Sequence, residues 1–183
     1  ERVRVRVVTS ESFPEGESAV VPARIAQFFL RTASSREAVT GYRVEGVDLV
    51  ADVAARSLPA VLVAETLPRD FVLEPQVFNE YLRAEELEAV IAARARRGET
   101  HHPGRERYRK IAKALLCAGG DAASPPGAGQ PPSVVPQGLW LEIVPTRDLC
   151  GIRAGETVSF QVLFEGRPLG GVRLAARRIY ALA

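Results

Sequence analysis

The 183-residue sequence has no methionine, only two cysteines and only two histidines, and the scarcity of cysteine and of histidine excludes two classes of site. The two histidines are adjacent, and because there is no other histidine, no third imidazole can complete a histidine-rich metal centre. The cysteines lie far apart, which excludes a paired-cysteine zinc or dithiol motif. No apolar run approaches the roughly 20 residues of a membrane-spanning helix. The chain also opens on "ERVRVRVV", without a signal core, and is expected to be a mature or trimmed product that has lost its start.

The charge balance gives no global attraction to nucleic acid. The formal net charge is +2, with 25% charged residues and 46% hydrophobic residues. Of the 24 basic residues only Lys110 and Lys113 are lysines, a bias we attribute to base composition rather than to recognition. This composition is typical of a soluble globular protein with one generous domain or two small ones.

Short strand patterns separated by Gly, Pro and Ser clusters predict a mainly β fold built from sandwiches. "RVRVRVV" alternates strictly, which predicts a strand with its valines half-buried. Residues 60–66 are almost wholly apolar and are expected to be central in a sheet. Further strands are predicted at residues 19–30 and 41–53, in "FVLEP", "LWLEIVP" and "ETVSFQVLF", and after the turn "EGRPLGG".

A helical excursion is predicted at about residues 76–116. Two apolar stripes on opposite sides predict two short helices over 76–83 and 86–97, with Phe78, Tyr81 and Leu82 buried. After "HHPG", apolar residues at i, i+3, i+4, i+7 and i+8 predict a third amphipathic helix, with Lys113 on its solvent side. Its stripe consists of Tyr108, Ile111, Ala112, Leu115 and Leu116.

The domain organisation follows from a stretch rich in Gly and Pro at residues 119–137, which reads as a linker. The first β-sandwich domain is predicted at 1–118 and a second at 138–183. Because so few residues follow the linker, the second domain is expected to be incomplete. In "RRIYALA", Arg178 and Ile179 could join segments that a loop separates in the natural protein.

His101 and His102 are the metal-ligand candidates that the sequence offers. Adjacent side chains in an extended loop point apart, and Pro103 and Gly104 keep this segment out of a helix. We therefore predict an exposed connection with no metal site. The surrounding residues 94–113 carry eight basic residues and two Glu, and we interpret them as a solvated face rather than an anion or nucleic-acid site.

The sequence contains no recognised catalytic motif. A Ser elbow, a phosphate-binding Gly-rich loop and a supported Cys–His dyad are all missing, so no catalytic residue and no enzyme activity are predicted. Cys117 and Cys150 permit one disulfide, but no repeated spacing requires it. Two separately buried thiols are the slightly favoured alternative.

Four segments resemble a family of exported bacterial proteins of unknown function, often labelled by similarity to the periplasmic component of nickel/cobalt transport systems. They are "LPRDFVLEPQVFNEYLRAEELEAVIAARARRGE", "PGRERYRKIAKALL", "GLWLEIVP" and "IRAGETVSFQVLFEGRPLGGV". The resemblance implies a periplasmic or otherwise extracytoplasmic protein. It also implies a β-rich first domain with a helical excursion and an Ig-like or prealbumin-like second domain. A transition-metal ion would bind at a segment preceding Glu1, so no residue of this chain inherits the metal role.

The function expected from these features is that of a non-enzymatic, exported binding or accessory protein, with transition-metal (nickel/cobalt) uptake as one form. Its partners would be membrane transport components or other envelope proteins, and no cofactor other than such a metal is expected. A β-sandwich adaptor that binds envelope proteins or carbohydrate is the alternative. A hydrolase that uses residues outside any recognised motif ranks third.

Overall fold

The computed structural model describes residues 2–10, 14–118 and 129–176, and within them the chain is mainly β, as predicted. Its helices are α1 (Pro75–Ala84) and α2 (Glu88–Arg96). Its strands are β1 (Arg2–Val7), β2 (Ile25–Arg31), β3 (Arg36–Ala38), β4 (Arg43–Glu45), β5 (Asp48–Ala54), β6 (Ala60–Thr66), β7 (Arg69–Leu73), β8 (Gly104–Tyr108), β9 (Ile111–Leu116), β10 (Leu141–Pro145), β11 (Phe160–Phe164) and β12 (Arg167–Pro168).

Two antiparallel sheets pack face to face on one apolar cluster. Their strand orders are β1-β5-β4 and β3-β2-β6-β9. The alternation of β1 is confirmed, because its arginines are exposed and its valines half-buried. The cluster joins Val5, Val7, Ala51 and Val53 of the first sheet to Phe28, Leu30, Ala60, Leu62 and Ala64 of the second.

Strand β6 is central in its sheet, as its continuous apolar run predicts. It pairs with β2 on one side and β9 on the other, and six of its seven residues are buried. A second apolar cluster lies on the opposite face of this sheet and contains Phe29, Val61, Val63 and Leu139. The sheet therefore has a core on both faces, which is why β6 carries apolar side chains on both sides.

The predicted helix after "HHPG" is wrong. Residues 104–108 form β8 and residues 111–116 form β9, which pairs with β6. Ile111 and Leu115 contact the second cluster, whereas Leu116 contacts the first. A strand that is apolar on both faces reproduces the i, i+3, i+4 spacing of a helix, and sheet pairing decides between the two.

Two predicted strands are shorter than expected. β2 begins at Ile25, after a 3-10 turn at Pro22–Arg24. The segment at 41–53 is a hairpin of β4 and β5 rather than one strand, because Gly46 adopts a positive φ of 61° at the turn.

The C-terminal sheet has the order β10-β11-β12. Residues 129–137, assigned to the linker, approach it through a 3-10 turn at Pro132–Val134 in which Pro132 and Ser133 are buried. Leu139 then joins the second apolar cluster. The end of the predicted linker is thus packed on the protein, while residues 119–128 lie outside the described residues.

Residues Leu67–Lys110 form one compact unit, and the described residues on either side of them form another. In the smaller unit β7 pairs with β8, and the two predicted helices are confirmed, with Glu86 between them at a φ of +54°. Phe78 and Leu82 are buried as predicted, whereas Tyr81 is only half-buried. Gly104 is required where it stands, because a Cβ there would lie 2.0 Å from the Phe78 ring.

The division into domains at 1–118, 119–137 and 138–183 remains a prediction, as does the incompleteness of the second domain. The predicted break in "RRIYALA" falls at residues 177–183, outside the described residues. Across the described ranges, no helix combines the length and the apolar character needed to cross a membrane.

Candidate functional site: an apolar cleft beside the C-terminal sheet

A cleft of about 360 Å³ lies between β9 and the C-terminal sheet. This volume is within the range of small-ligand sites. Its walls are apolar except at three positions. The lining side chains are those of Val61, Ile111, Ala114, Leu115, Leu141, Ile143, Pro145, Leu149 and Phe160, together with the polar residues Lys113, Ser133 and Glu142.

One wall of the cleft continues into an exposed apolar face on the C-terminal sheet. In the β10–β11 register Leu141 lies opposite Phe164, and Pro145 lies opposite Phe160. We define the apolar face as the exposed side chains of Leu141, Ile143, Phe160 and Phe164, which are 36–46% accessible. The ring of Trp140 meets that of Phe164 edge-on, with 4.8 Å between centroids, and extends the aromatic surface.

A buried carboxylate anchors β10 from the other side. The Glu142 side chain is only 1% exposed. Lys113 Nζ donates to its Oε1 at 2.8 Å, and the backbone N–H of Gln137 donates to both oxygens at 2.7 and 2.9 Å. The Leu139 N–H adds a longer bond of 3.3 Å. The negative charge is therefore both paired and hydrogen-bonded, the condition under which a carboxylate tolerates burial.

Lys113 spans the cleft from β9 to β10. Besides Glu142, its ammonium group donates to the backbone carbonyl of Ile143 at 3.0 Å. Since an ammonium group has three N–H donors and no further acceptor is found among the described residues, one donor is left over. The side chain keeps 18% of its surface exposed and lines the cleft, so this donor is available there.

A disulfide closes the same region. Cys117 directly follows β9 and bonds to Cys150, with 5.6 Å between the Cα atoms. The preference for two separate thiols is therefore wrong. Asp148 supports the bridge, since its Oδ1 accepts bonds from the Cys150 N–H and from the Ser133 hydroxyl. The proximity of the cysteines depends on β9 being a strand, and the erroneous helix concealed it.

Comparison with known proteins identifies the family. A family model described as a domain of unknown function, DUF4198, matches residues 1–179. The chain belongs to the DUF4198 family. Searches of the curated proteins and of the solved structures found no match. The predicted membership of a family of unknown function is thereby confirmed, and the Ig-like or prealbumin-like assignment remains a prediction.

In this DUF4198 chain the histidine pair is exposed, as predicted. Arg94 fixes the backbone beside it by donating to the carbonyls of Glu99 at 2.7 Å and His102 at 2.8 Å. His101 and Arg83 both line a groove of about 340 Å³ on the smaller unit. The described part of the chain contains no cluster of three or more His, Cys, Asp or Glu side chains in metal-binding geometry.

The interpretation of residues 94–113 as a wholly solvated basic face is wrong at two positions. Arg94 is buried and places its guanidinium 4.8 Å from the centroid of the Phe78 ring, a cation–π contact. Lys113 lies in the cleft. In the smaller unit, partial burial and then a hydrogen bond with Glu106 raise the pKa of Tyr81 above its ordinary value.

Sequence reasoning missed the pairing of Lys113 with Glu142. The alternation in "LWLEIVP" gave no sign of it, because the inversion is visible only in the structure. Ordinary patterning buries the leucine and isoleucine of such a strand and exposes the glutamate. Here Glu142 is buried while Leu141 and Ile143 are exposed. Violations of this kind are characteristic of functional surfaces.

Proposed function

We propose that the chain is a non-enzymatic binding or accessory protein that acts outside the cytoplasm and holds a partner protein on its apolar face. The observation that carries this proposal is the exposure of Leu141, Ile143, Phe160 and Phe164 together on one side of the C-terminal sheet. Contiguous apolar surface with this exposure characterises protein–protein contact sites. The partner would cover the apolar face, and its side chains would fill the adjoining cleft.

The disulfide supports a location outside the cytoplasm. Cys117 and Cys150 are paired, and such bonds form and persist in the periplasm and other oxidising compartments. A periplasmic adaptor that binds envelope proteins is therefore the form of the proposal that we adopt. The alternative of carbohydrate as ligand and the hydrolase hypothesis have no comparable support in the geometry.

A role in nickel or cobalt uptake is a further proposal that rests on the sequence resemblance. It predicts that the exported protein binds Ni²⁺, Co²⁺ or Cu²⁺ at micromolar concentration, which calorimetry would measure. Because the resemblance implies that the metal ion binds at a segment preceding Glu1, double replacement of the exposed His101 and His102 by Ala should leave any such affinity unchanged. Loss of metal binding in that double variant would instead make the histidine loop the metal site.

Retention of envelope proteins by the immobilised chain tests the adaptor role. Ile143→Arg places a charge on the apolar face, and Val44→Arg is its matched control, since Ile143 is 46% and Val44 48% exposed and both are on strands. We expect a partner that the wild type and Val44→Arg retain and that Ile143→Arg loses. Equal retention by both variants would contradict the proposal.

A further inference from the structure

A cavity of about 610 Å³ lies beside β2 and β3, at one edge of the β3-β2-β6-β9 sheet. We propose that it binds a small organic monocarboxylate, which accepts two parallel hydrogen bonds from Arg36 and lays its hydrocarbon body against apolar side chains. The cavity and the cleft share no lining residue. This binding site is therefore additional to the proposed adaptor function and independent of it.

The cavity forms because β2 extends beyond its pairing with β3. Strand β3 pairs with only the last three residues of β2, and the Val39 N–H then donates to the Phe28 carbonyl at 2.8 Å. Beyond this bond, residues 25–27 and 40–42 both line the cavity, and among the described residues no backbone hydrogen bond joins them. The two segments therefore leave a gap at the sheet edge, and the exposed residues on its rim open it to solvent.

The guanidinium group of Arg36 is fixed at the wall of this cavity. Its Cζ atom lies 3.9 Å from the centroid of the Phe29 ring, a cation–π contact. Its Nη2 donates to Gln27 Oε1 at 2.7 Å, and the Gln27 amide in turn donates to the Glu65 carboxylate. Because Phe29 and Gln27 themselves line the cavity, both contacts hold the guanidinium there. Part of the side-chain freedom that ligand binding would cost is thus already lost in the free protein.

Most of the hydrogen-bond donors of Arg36 remain unused. A guanidinium group has five N–H donors, and within the described residues this one donates only to Gln27. It also has no carboxylate of the described residues within ion-pair distance, whereas Arg4, Arg6 and Arg43 on the first sheet are all paired. A fixed guanidinium with free donors matches the planar carboxylate group, which accepts two parallel N–H bonds.

The rest of the lining defines the charge and the body of the ligand. The apolar lining residues suit a hydrocarbon body, and they are Ile25, Ala26, Phe28, Phe29, Ala38 and Val39. The hydroxyl groups of Thr40 and Tyr42 have no hydrogen-bond partner among the described residues, so both can bind a ligand oxygen. Arg36 is the one cation in the described lining, and the Glu65 carboxylate is bonded to Gln27 beside it. The site therefore balances one negative charge rather than the nearly two of a phosphate ester.

An NMR titration of the isotope-labelled protein with hydrocinnamate tests the inference. The matched probe is hydrocinnamamide, which has the same hydrocarbon body and no charge. We expect saturable binding of the carboxylate with a Kd below about 1 mM, and an affinity at least about tenfold lower for the amide. Equal affinity for both probes, or no saturation by about 10 mM hydrocinnamate, would overturn the proposal. If phenyl phosphate binds at least about tenfold more tightly than hydrocinnamate, the cavity is a phosphate-ester site and the proposal is wrong.

Variants of Arg36 locate the binding. Arg36→Gln removes the charge and should weaken hydrocinnamate by about tenfold or more. Arg36→Lys keeps the charge but lacks the planar fork, and it should weaken hydrocinnamate several-fold. Arg2→Gln is the matched control, since Arg2 is also an exposed arginine on a strand, and it should bind like the wild type. With all three folds verified by circular dichroism, unchanged affinity in either Arg36 variant or an equal loss in Arg2→Gln would overturn the proposal.

Discussion

Two outward-facing sheets of the larger unit present opposite surfaces. The first sheet, β1-β5-β4, carries a charged face on which arginines pair with carboxylates. These pairs are Arg4–Glu45, Arg6–Asp48, Arg43–Glu45 and Arg43–Asp52. The C-terminal sheet instead carries the apolar face, and its buried charge, Glu142, points inward.

The difference bears on the proposal that the apolar face holds a partner protein. On the charged face each carboxylate has an arginine of the same sheet, and charged strands of this kind discourage association with other chains. The hydrogen bond that Arg43 donates to Asp52, followed by the charge of Glu45, raises the pKa of Arg43 above its ordinary value. The described residues provide no comparable pairing on the apolar face, and its aliphatic and aromatic side chains remain partly exposed to water.

The largest expected loss of stability comes from replacing Glu142, the buried carboxylate that holds β10 in place. Glu142→Ala leaves Lys113 and the amides of Gln137 and Leu139 without their common acceptor. We expect a loss of roughly 3–5 kcal/mol in the free energy of unfolding. Urea denaturation measures it, and a loss below about 1 kcal/mol would show that the network is only an exposed ion pair in solution.

The disulfide gives the second largest effect. It closes a loop with a sequence separation of 33 residues between β9 and the C-terminal sheet. Cys117→Ser with Cys150→Ser should lower stability by roughly 3–4 kcal/mol in the chain-entropy model. Thermal unfolding with and without a reductant measures the loss. If neither the double replacement nor the reductant lowers the stability, the disulfide does not form in the protein.

Substitutions on the charged face should lower the free energy of unfolding by less, and by different amounts at different ion pairs. Arg6 pairs at 2.9 Å with Asp48, which is largely buried and whose Oδ1 has no partner among the described residues. Arg6→Ala is expected to cost roughly 1–3 kcal/mol, since it leaves that carboxylate without its cation. Arg4→Ala, at an exposed pair, should cost below about 1 kcal/mol. Chemical denaturation of both variants measures the contrast, and equal losses would contradict it.

The smallest expected effect on the free energy of unfolding comes from substitutions at exposed apolar residues. Ile143→Arg and Val44→Arg should each change the free energy of unfolding by no more than about 0.5 kcal/mol, because both side chains are half in water. The same denaturation experiment compares them. A large loss for Ile143→Arg alone would mean that the apolar face serves the fold rather than a partner.

The sequence predicted the fold class and most strands because periodicity is a local signal. The alternation of β1, the apolar run of β6 and the two short helices are all present. It failed at β9, where a strand with a core on each face has the spacing of a helix. The cleft escaped prediction for the same reason, since Lys113 meets Glu142 only when residues 111–116 are extended.

Photo-crosslinking in the cells that produce the protein tests the central claim most directly. A benzophenone side chain is introduced at position 143 of the apolar face or, in the matched control, at position 44 of β4. We predict a discrete crosslinked product of higher mass from position 143, with little or none from position 44. Equal products from both positions, or none from position 143, would contradict the claim that the C-terminal sheet holds a partner protein.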